Sequence, residues 1–318
     1  MKKNLKIVIF GASGAIGSSI ANILFGDDRF DIINVSRNND GIENTNNISW
    51  DFLNYNNEIL ALLESANVII NAVGQNNGED IELEKINFLF VQSIINKLIK
   101  LNSSVRFIQI SSAGAYGAIE KYWPNSKAID EAFEDFPGNF YEYTKAKADK
   151  MIMTSINNAN NKISYTIIRP TNVLSKSYSN LYRYVNYFFN KRFYILLRKD
   201  SLFTFVSVND LAKVVKLCIL NLKKSHNQMF IVSDDCLQEN LYKKLDKELH
   251  NTRINIIVPF FMIFFTVKLL SVFKITQPFA RILKVLTSKI SYNSDKIRNI
   301  DQFACKSFTS EPKKFLIK

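Results

Sequence analysis

Leu5-Lys6-Ile7-Val8-Ile9-Phe10-Gly11-Ala12-Ser13-Gly14-Ala15-Ile16-Gly17 decides the fold. An apolar, β-branched run ends in three glycines spaced by three, and a helical pattern over Ser18–Phe25 follows at once. Glycines at that turn permit a tight bend and close backbone approach. The helix that opens there offers N–H groups and a positive dipole end to an anion. In this strand–turn–helix setting, Gly11, Ser13, Gly14, Ala15, Ile16 and Gly17 are expected to cradle a dinucleotide pyrophosphate.

Outward from that unit the pattern repeats. Ile32–Ser36, Val68–Ala72, Val105–Ile110 and Tyr165–Ile168 read as further buried parallel strands, with helices over Glu82–Leu101 and Tyr141–Ala159. Alternating β and α units predict a doubly wound parallel sheet, α/β in class, with ligands at the carboxyl ends of its strands. The expected division is a Rossmann-type domain over 1–168 and a smaller, mostly helical substrate region over 169–318, with about 203–233 returning to the sheet. The Asn-rich stretch from Asn38 to Asn57 reads as loop around a short strand at Ile48–Asp51.

The second strand ends Val35-Ser36-Arg37, without the acid that binds ribose hydroxyls. A hydroxyl beside a guanidinium suits a 2′-phosphate, so NADP is expected ahead of NAD. Asp51 and Phe52 are expected to bracket the adenine, and Asn71-Ala72-Val73-Gly74 to lie beneath the cofactor.

Tyr141 and Lys145 share one helical face. A tyrosine near pKa 10 is a poor base, and a neighbouring ammonium would make its proton exchangeable. Ser112, after an apolar strand, would hold the substrate oxygen. Tyr143 and Lys147 form a second pair at the same spacing.

These residues resemble the extended short-chain dehydrogenase/reductases, the NAD-dependent epimerase/dehydratase family. The resemblance spans nearly the whole chain. Ser111-Ser112-Ala113-Gly114-Ala115-Tyr116-Gly117 is similar to its serine segment, and Tyr141-x-x-Thr144-Lys145-x-x-x-Asp149 to its tyrosine–lysine segment, which selects Tyr141 over Tyr143. Arg169-Pro170-Thr171-Asn172-Val173 resembles the entry to its sugar-nucleotide site, implying Asn172 on substrate phosphates, with Arg169 at the cofactor and Tyr116 at the substrate. Val206–Ala212 looks like its late strand-to-helix step. The C-terminal half resembles the sub-group of bacterial surface-polysaccharide synthesis, including O-antigen, which implies a nucleotide-diphosphate sugar substrate of the UDP-N-acetylhexosamine type.

Two departures bear on the reaction. Family dehydratases place acids directly after the catalytic hydroxyl, whereas this chain has Ala113 and Gly114. An arginine expected before the late strand is replaced by Phe203, with Arg198 or Lys199 as substitutes and Arg183 and Arg192 as further candidates. The leading expectation is therefore an NADPH-dependent 4-keto-sugar reductase. The runner-up is a redox-neutral 4-epimerase with tightly held NAD, and a distant third is a non-catalytic NAD(P)-binding sensor. The resemblance also implies a homodimer through Glu82–Leu101 and Tyr141–Ala159.

Bulk properties fit this frame. Net charge is +12, and residues 181–318 alone hold 24 Lys/Arg against 10 Asp/Glu. So basic a second half implies an anionic partner. No zinc-finger, RRM-like or helix-turn-helix signature accompanies it, so nucleic acid ranks last. Three scattered cysteines and two isolated histidines give no metal or disulfide pattern and favour a reducing cytoplasm. The Met1-Lys2-Lys3 start with Ile7–Phe10 is too short for a signal peptide. Ile256–Val267, resuming to Phe273, is apolar all round but too short to span a bilayer. It is expected as a helix buried in the substrate region, with a membrane-interface helix as the alternative, at the inner face of the membrane.

Overall fold

The computed structural model describes residues 4–37, 46–52, 54–158, 162–175, 193–249 and 254–311. Arg183 and Arg192 lie outside the described residues. Seven parallel strands form the central sheet: β1 (Leu5–Phe10), β2 (Phe30–Ser36), β3 (Asn46–Ser49), β4 (Val68–Asn71), β5 (Arg106–Ile110), β6 (Ser164–Pro170) and β7 (Gln228–Val232). Their spatial order is β3-β2-β1-β4-β5-β6-β7. The order reverses between β1 and β4, which opens a crevice at the strands' carboxyl ends.

Both faces are covered, which is why β1, β4 and β5 read as apolar runs rather than alternating ones. Helices Ala15–Leu24, Val208–Leu220 and Asp295–Asp301 bury Ile20, Leu211, Val215 and Ile297 against one face. Helices Asn57–Ser65, Phe90–Lys100 and Phe140–Asn158 bury Leu63, Ile94 and Ile152 against the other. The long helix expected over Glu82–Leu101 is broken: Asp80–Glu84 passes through a π-helical turn, Lys85–Leu89, before Phe90–Lys100 resumes. Such turns re-aim a side chain without ending a helix.

Smaller pairings attach the C-terminal region. Lys289–Tyr292 runs parallel to Ser126–Ile129, and Phe205–Ser207 to Asn172–Leu174. The apolar stretch after Arg253 is not one buried helix. It divides at Pro259 into a strand, Ile254–Ile257, and a helix, Phe260–Val272, of which only Ile263 and Val267 are buried. That helix packs on a second one, Gln277–Leu286, and both rest on Trp123 and Leu197. Trp123 and Leu197 cover one face alone, so the other stays exposed.

Candidate active site

The glycine turn is built as its spacing implies. Gly11 has φ +83°, and a Cβ there would stand 2.9 Å from the Val73 nitrogen. A Cβ on Gly17 would lie 2.2 Å from the Gly11 carbonyl oxygen, so helix and turn meet at backbone distance. Gly14 is the N-cap of Ala15–Leu24; no side chain caps this end and no acid occupies its first turn. Its outer amides and dipole are left for an anion, with Ser13 exposed beside them. A cofactor pyrophosphate fits this cradle.

At the end of β2, Ser36 is buried and Arg37 exposed. Asp51 accepts from the backbone and side-chain nitrogens of Asn54 at 3.1 and 3.0 Å. Phe52 (φ +65°) joins a cluster with Phe10, Trp50 and Phe90, its ring centroid 5.0 Å from that of Phe90. Both expected adenine neighbours thus already have partners within the fold. Asn71 donates to Gln109 at 2.9 Å and accepts from the Val73 N–H at 3.0 Å, fixing Ala72 and Val73 against Gly11.

Ser112, Tyr141 and Lys145 converge at the ends of β4 and β5. Ser112 caps the turn Ala113–Tyr116, its Oγ accepting from the Gly114 N–H at 3.1 Å, and its hydroxyl is near enough to the Tyr141 side chain to act on its pKa. Lys145 Nζ donates to the Ile110 carbonyl at 3.2 Å and reaches the segment after β4, where it would stand 2.9 Å from a Cβ at Gly74. The other tyrosine–lysine pair points away: Tyr143 is exposed, and Lys147 pairs with Glu84 at 2.7 Å.

Burial pushes the Tyr141 phenol up. Ser112 pulls it back, and Glu142 and Asp149 push it further up. Burial also presses the lysine down to about 8, against the opposing pull of Asp149. Tyr141 therefore stays protonated at neutral pH.

Sequence reading missed two neighbours, Asn87 and Glu142, and used Asp149 only to choose between the two tyrosine–lysine pairs. Asn87, aimed by the π-helical turn, accepts from the Gln75 N–H at 3.0 Å and donates to the Thr144 hydroxyl at 3.2 Å. It pins the strand-β4 loop to the catalytic helix, and a polar residue amid an apolar helical pattern was its only signal. Glu142 lies against Gly114, accepts from the Gly138 N–H at 2.8 Å and pairs with Arg281 from the C-terminal helix. Asp149 is wholly buried; it accepts from the Ser111 hydroxyl at 2.6 Å and from Arg169 Nε at 2.9 Å.

Three expected contact residues are engaged away from the trio. Arg169, 1% exposed, grips Asp149 and Asp135, which outweigh the effect of burial and raise its pKa. Its guanidinium lies 4.5 Å over the Tyr116 ring, which is buried beneath it. A charge so enclosed must be paired, and Arg169 and Tyr116 are both buried within the fold. Arg198 donates to Asp200 at 2.8 Å and to the Pro124 carbonyl at 2.9 Å, and covers Phe260 at 4.2 Å, tying the apolar helix to the Trp123 turn. Asn172 is exposed and lines a cleft with Phe203, Thr204, Val285, Ser288 and Tyr292.

Comparison with known proteins agrees with this geometry. Solved structures with the same fold include UDP-glucuronic acid 4-epimerase from Bacillus cereus in complex with NAD, with TM-score 0.70 and 14% identity, covering 95% of this chain and 92% of that one. MoeE5 in complex with UDP-glucuronic acid and NAD has TM-score 0.71 and 13% identity, covering 98% and 97%. dTDP-glucose 4,6-dehydratase from Bacillus anthracis, in complex with NAD, has TM-score 0.64 and 14% identity, covering 95% and 92%. No curated protein matches the sequence. The family model for the NAD dependent epimerase/dehydratase family matches residues 7–232, spanning the glycine turn, the serine and tyrosine–lysine segments and β7. The chain is an enzyme of the NAD-dependent epimerase/dehydratase family.

Proposed function

We propose that the protein is an oxidoreductase acting at C4 of a nucleotide-linked sugar, of the UDP-N-acetylhexosamine type, and that it works as an NADPH-dependent 4-keto-sugar reductase in surface-polysaccharide synthesis. The observation that carries the reading is the convergence of Ser112, Tyr141 and Lys145 at the switch point beside the glycine turn. Gly11, Ser13, Gly14, Ala15 and Ile16 would hold the pyrophosphate. Ser36 and Arg37 would hold a 2′-phosphate, Asn71–Gly74 would lie beneath the nicotinamide half, and Lys145 would reach its ribose. When bound, the nicotinamide supplies the hydride.

The chain's own residues do the rest. Ser112 and Tyr141 hold the C4 oxygen between two hydroxyls. Tyr141, kept protonated by burial, delivers its proton to the forming alkoxide. Ala113 and Gly114 offer no acid for dehydration. The nearby Glu142 carboxylate is tied to Arg281 and the Gly138 N–H. Asn172 at the cleft would meet the substrate diphosphate.

A redox-neutral 4-epimerase with tightly held NAD is the second reading, favoured by neighbours that hold NAD and UDP-sugars. Purified protein given UDP-N-acetylglucosamine separates them. Product without added cofactor sinks the reductase, whereas NADPH consumption only with a 4-keto sugar sinks the epimerase. We further propose a cytoplasmic homodimer built through the helical layer of residues 80–100 and Phe140–Asn158.

A further inference from the structure

The hairpin of Phe260–Val272 and Gln277–Leu286 has one face packed on the protein and one that is exposed among the described residues. Inward, Ile263, Val267 and Ala280 form a small core with Trp123, whose ring stacks on Phe264 at 5.6 Å. Outward, Phe261, Phe265, Leu269 and Val272 share a helical face and are 64, 66, 66 and 71% exposed. Phe273, Ile275 and Phe279, which follow in the turn and the second helix, are exposed as well, Ile275 to 85%. Single exposed apolar residues are ordinary, but a contiguous surface of this kind marks an interaction site.

Charge selects the occupant. Between Glu248 and Asp295 the sequence has no carboxylate, yet it holds Arg253, Lys268, Lys274, Arg281, Lys284 and Lys289. Arg281 and Lys284 turn inward to Glu142 and Glu120, anchoring the hairpin to the catalytic helix and to Ala118–Tyr122. Lys268 is exposed, its ammonium 4.7 Å over the Phe264 ring. An aromatic, acid-free surface with a cation at its edge matches an anionic bilayer, into which Phe and Leu insert while Lys meets headgroups. A second copy fits poorly, because a two-fold contact would set Lys268 against a surface with no carboxylate of its own. No described helix is long and apolar enough to cross a membrane, so the contact would lie in the interface plane.

We propose that this hairpin is a docking surface for an anionic lipid bilayer, and that it holds the substrate cleft beside the membrane. Val285 and Leu286, at the end of the second helix, line that cleft, so docking and substrate entry share one element. The proposal stands on the exposed face and its charge, not on which C4 reaction the site performs.

Full-length protein is to be sedimented with phosphatidylcholine vesicles, with and without phosphatidylglycerol. Binding that needs phosphatidylglycerol and weakens with salt is expected. A triple variant, Phe261→Ser, Phe265→Ser and Leu269→Ser, should bind more than about 100-fold more weakly, since each inserted side chain contributes on the order of tenfold. Its circular dichroism should match the parent's, because all three positions are exposed. Should it nevertheless fail to fold, Lys268→Glu carries the test through a smaller loss of binding. Failure to bind either vesicle, equal binding by a folded triple variant, or self-association that the variant abolishes would each overturn the proposal.

Discussion

Replacing Asp149 with Asn tests whether the buried ion network sets the chemistry of the catalytic pair. Asp149 Oδ2 accepts from Ser111 at 2.6 Å and from Arg169 at 2.9 Å, while Oδ1 has no hydrogen-bond partner among the described residues. Its charge acts through space on Lys145, holding up a pKa that burial has already pressed down to about 8. Asn keeps the shape and removes that charge. Two consequences separate. Arg169, 1% exposed, keeps only Asp135 as a carboxylate partner, and an undercompensated buried charge costs about 3 kcal/mol or more. For a chain of 318 residues that lowers the melting temperature by about 5 °C.

Lys145, a base without its anion, loses its proton at lower pH. Activity that needs the ammonium persists below the lysine pKa and fails above it. The alkaline limb of the kcat/KM profile, near pH 8 in the parent, should therefore move to lower pH. Tyr141 moves the same way, because Asp149 helps to raise its pKa. Thermal denaturation and a pH profile on the same samples are the measurements. A variant that is destabilised but keeps its alkaline limb unmoved would refute the electrostatic argument and leave Asp149 as scaffold only.

Gly17→Ala forces a Cβ to 2.2 Å from the Gly11 carbonyl oxygen, a backbone atom that cannot swing aside. Loss of NAD(H) binding by fluorescence titration, with a melting temperature lower by several degrees, is expected; unchanged cofactor affinity would contradict the turn's role. Arg37→Asp should reverse cofactor preference toward NADH, by about tenfold or more for a lost phosphate contact. Equal NADPH use by parent and variant would show that Arg37 touches no phosphate. Tyr141→Phe should keep fold and cofactor affinity while turnover drops by about 100-fold or more. Unchanged turnover in that variant would refute Tyr141 as the proton donor.

How legible the site was depended on how local its chemistry is. Tyr141 and Lys145 lie four residues apart on one helix, so their shared face follows from helical geometry alone. Their rival pair, Tyr143 and Lys147, has the same spacing, and only packing shows that it faces outward toward Glu84. Asn87 was invisible because a π-helical turn, not propensity, aims it. Arg169 and Tyr116 sit in recognisable motifs, yet their role depends on the carboxylates that enclose them, one 20 residues and one 34 residues away from Arg169 in sequence. Arg198 reads as a substitute for the arginine expected before the late strand until Pro124 and Phe260 are brought beside it.

The sequence by itself determined the parallel sheet, because period and glycine spacing are properties of neighbouring residues. It also determined the glycine turn and singled out Ser112, Tyr141 and Lys145 as the candidate trio. Tertiary structure alone decided the protonation bias of that trio, since burial and through-space charge depend on distant groups. It also decided the fate of the apolar stretch after Pro259. Hydropathy cannot tell a buried helix from one with a single covered face, since both are apolar all round; the difference lies in how much protein surface is left to cover it.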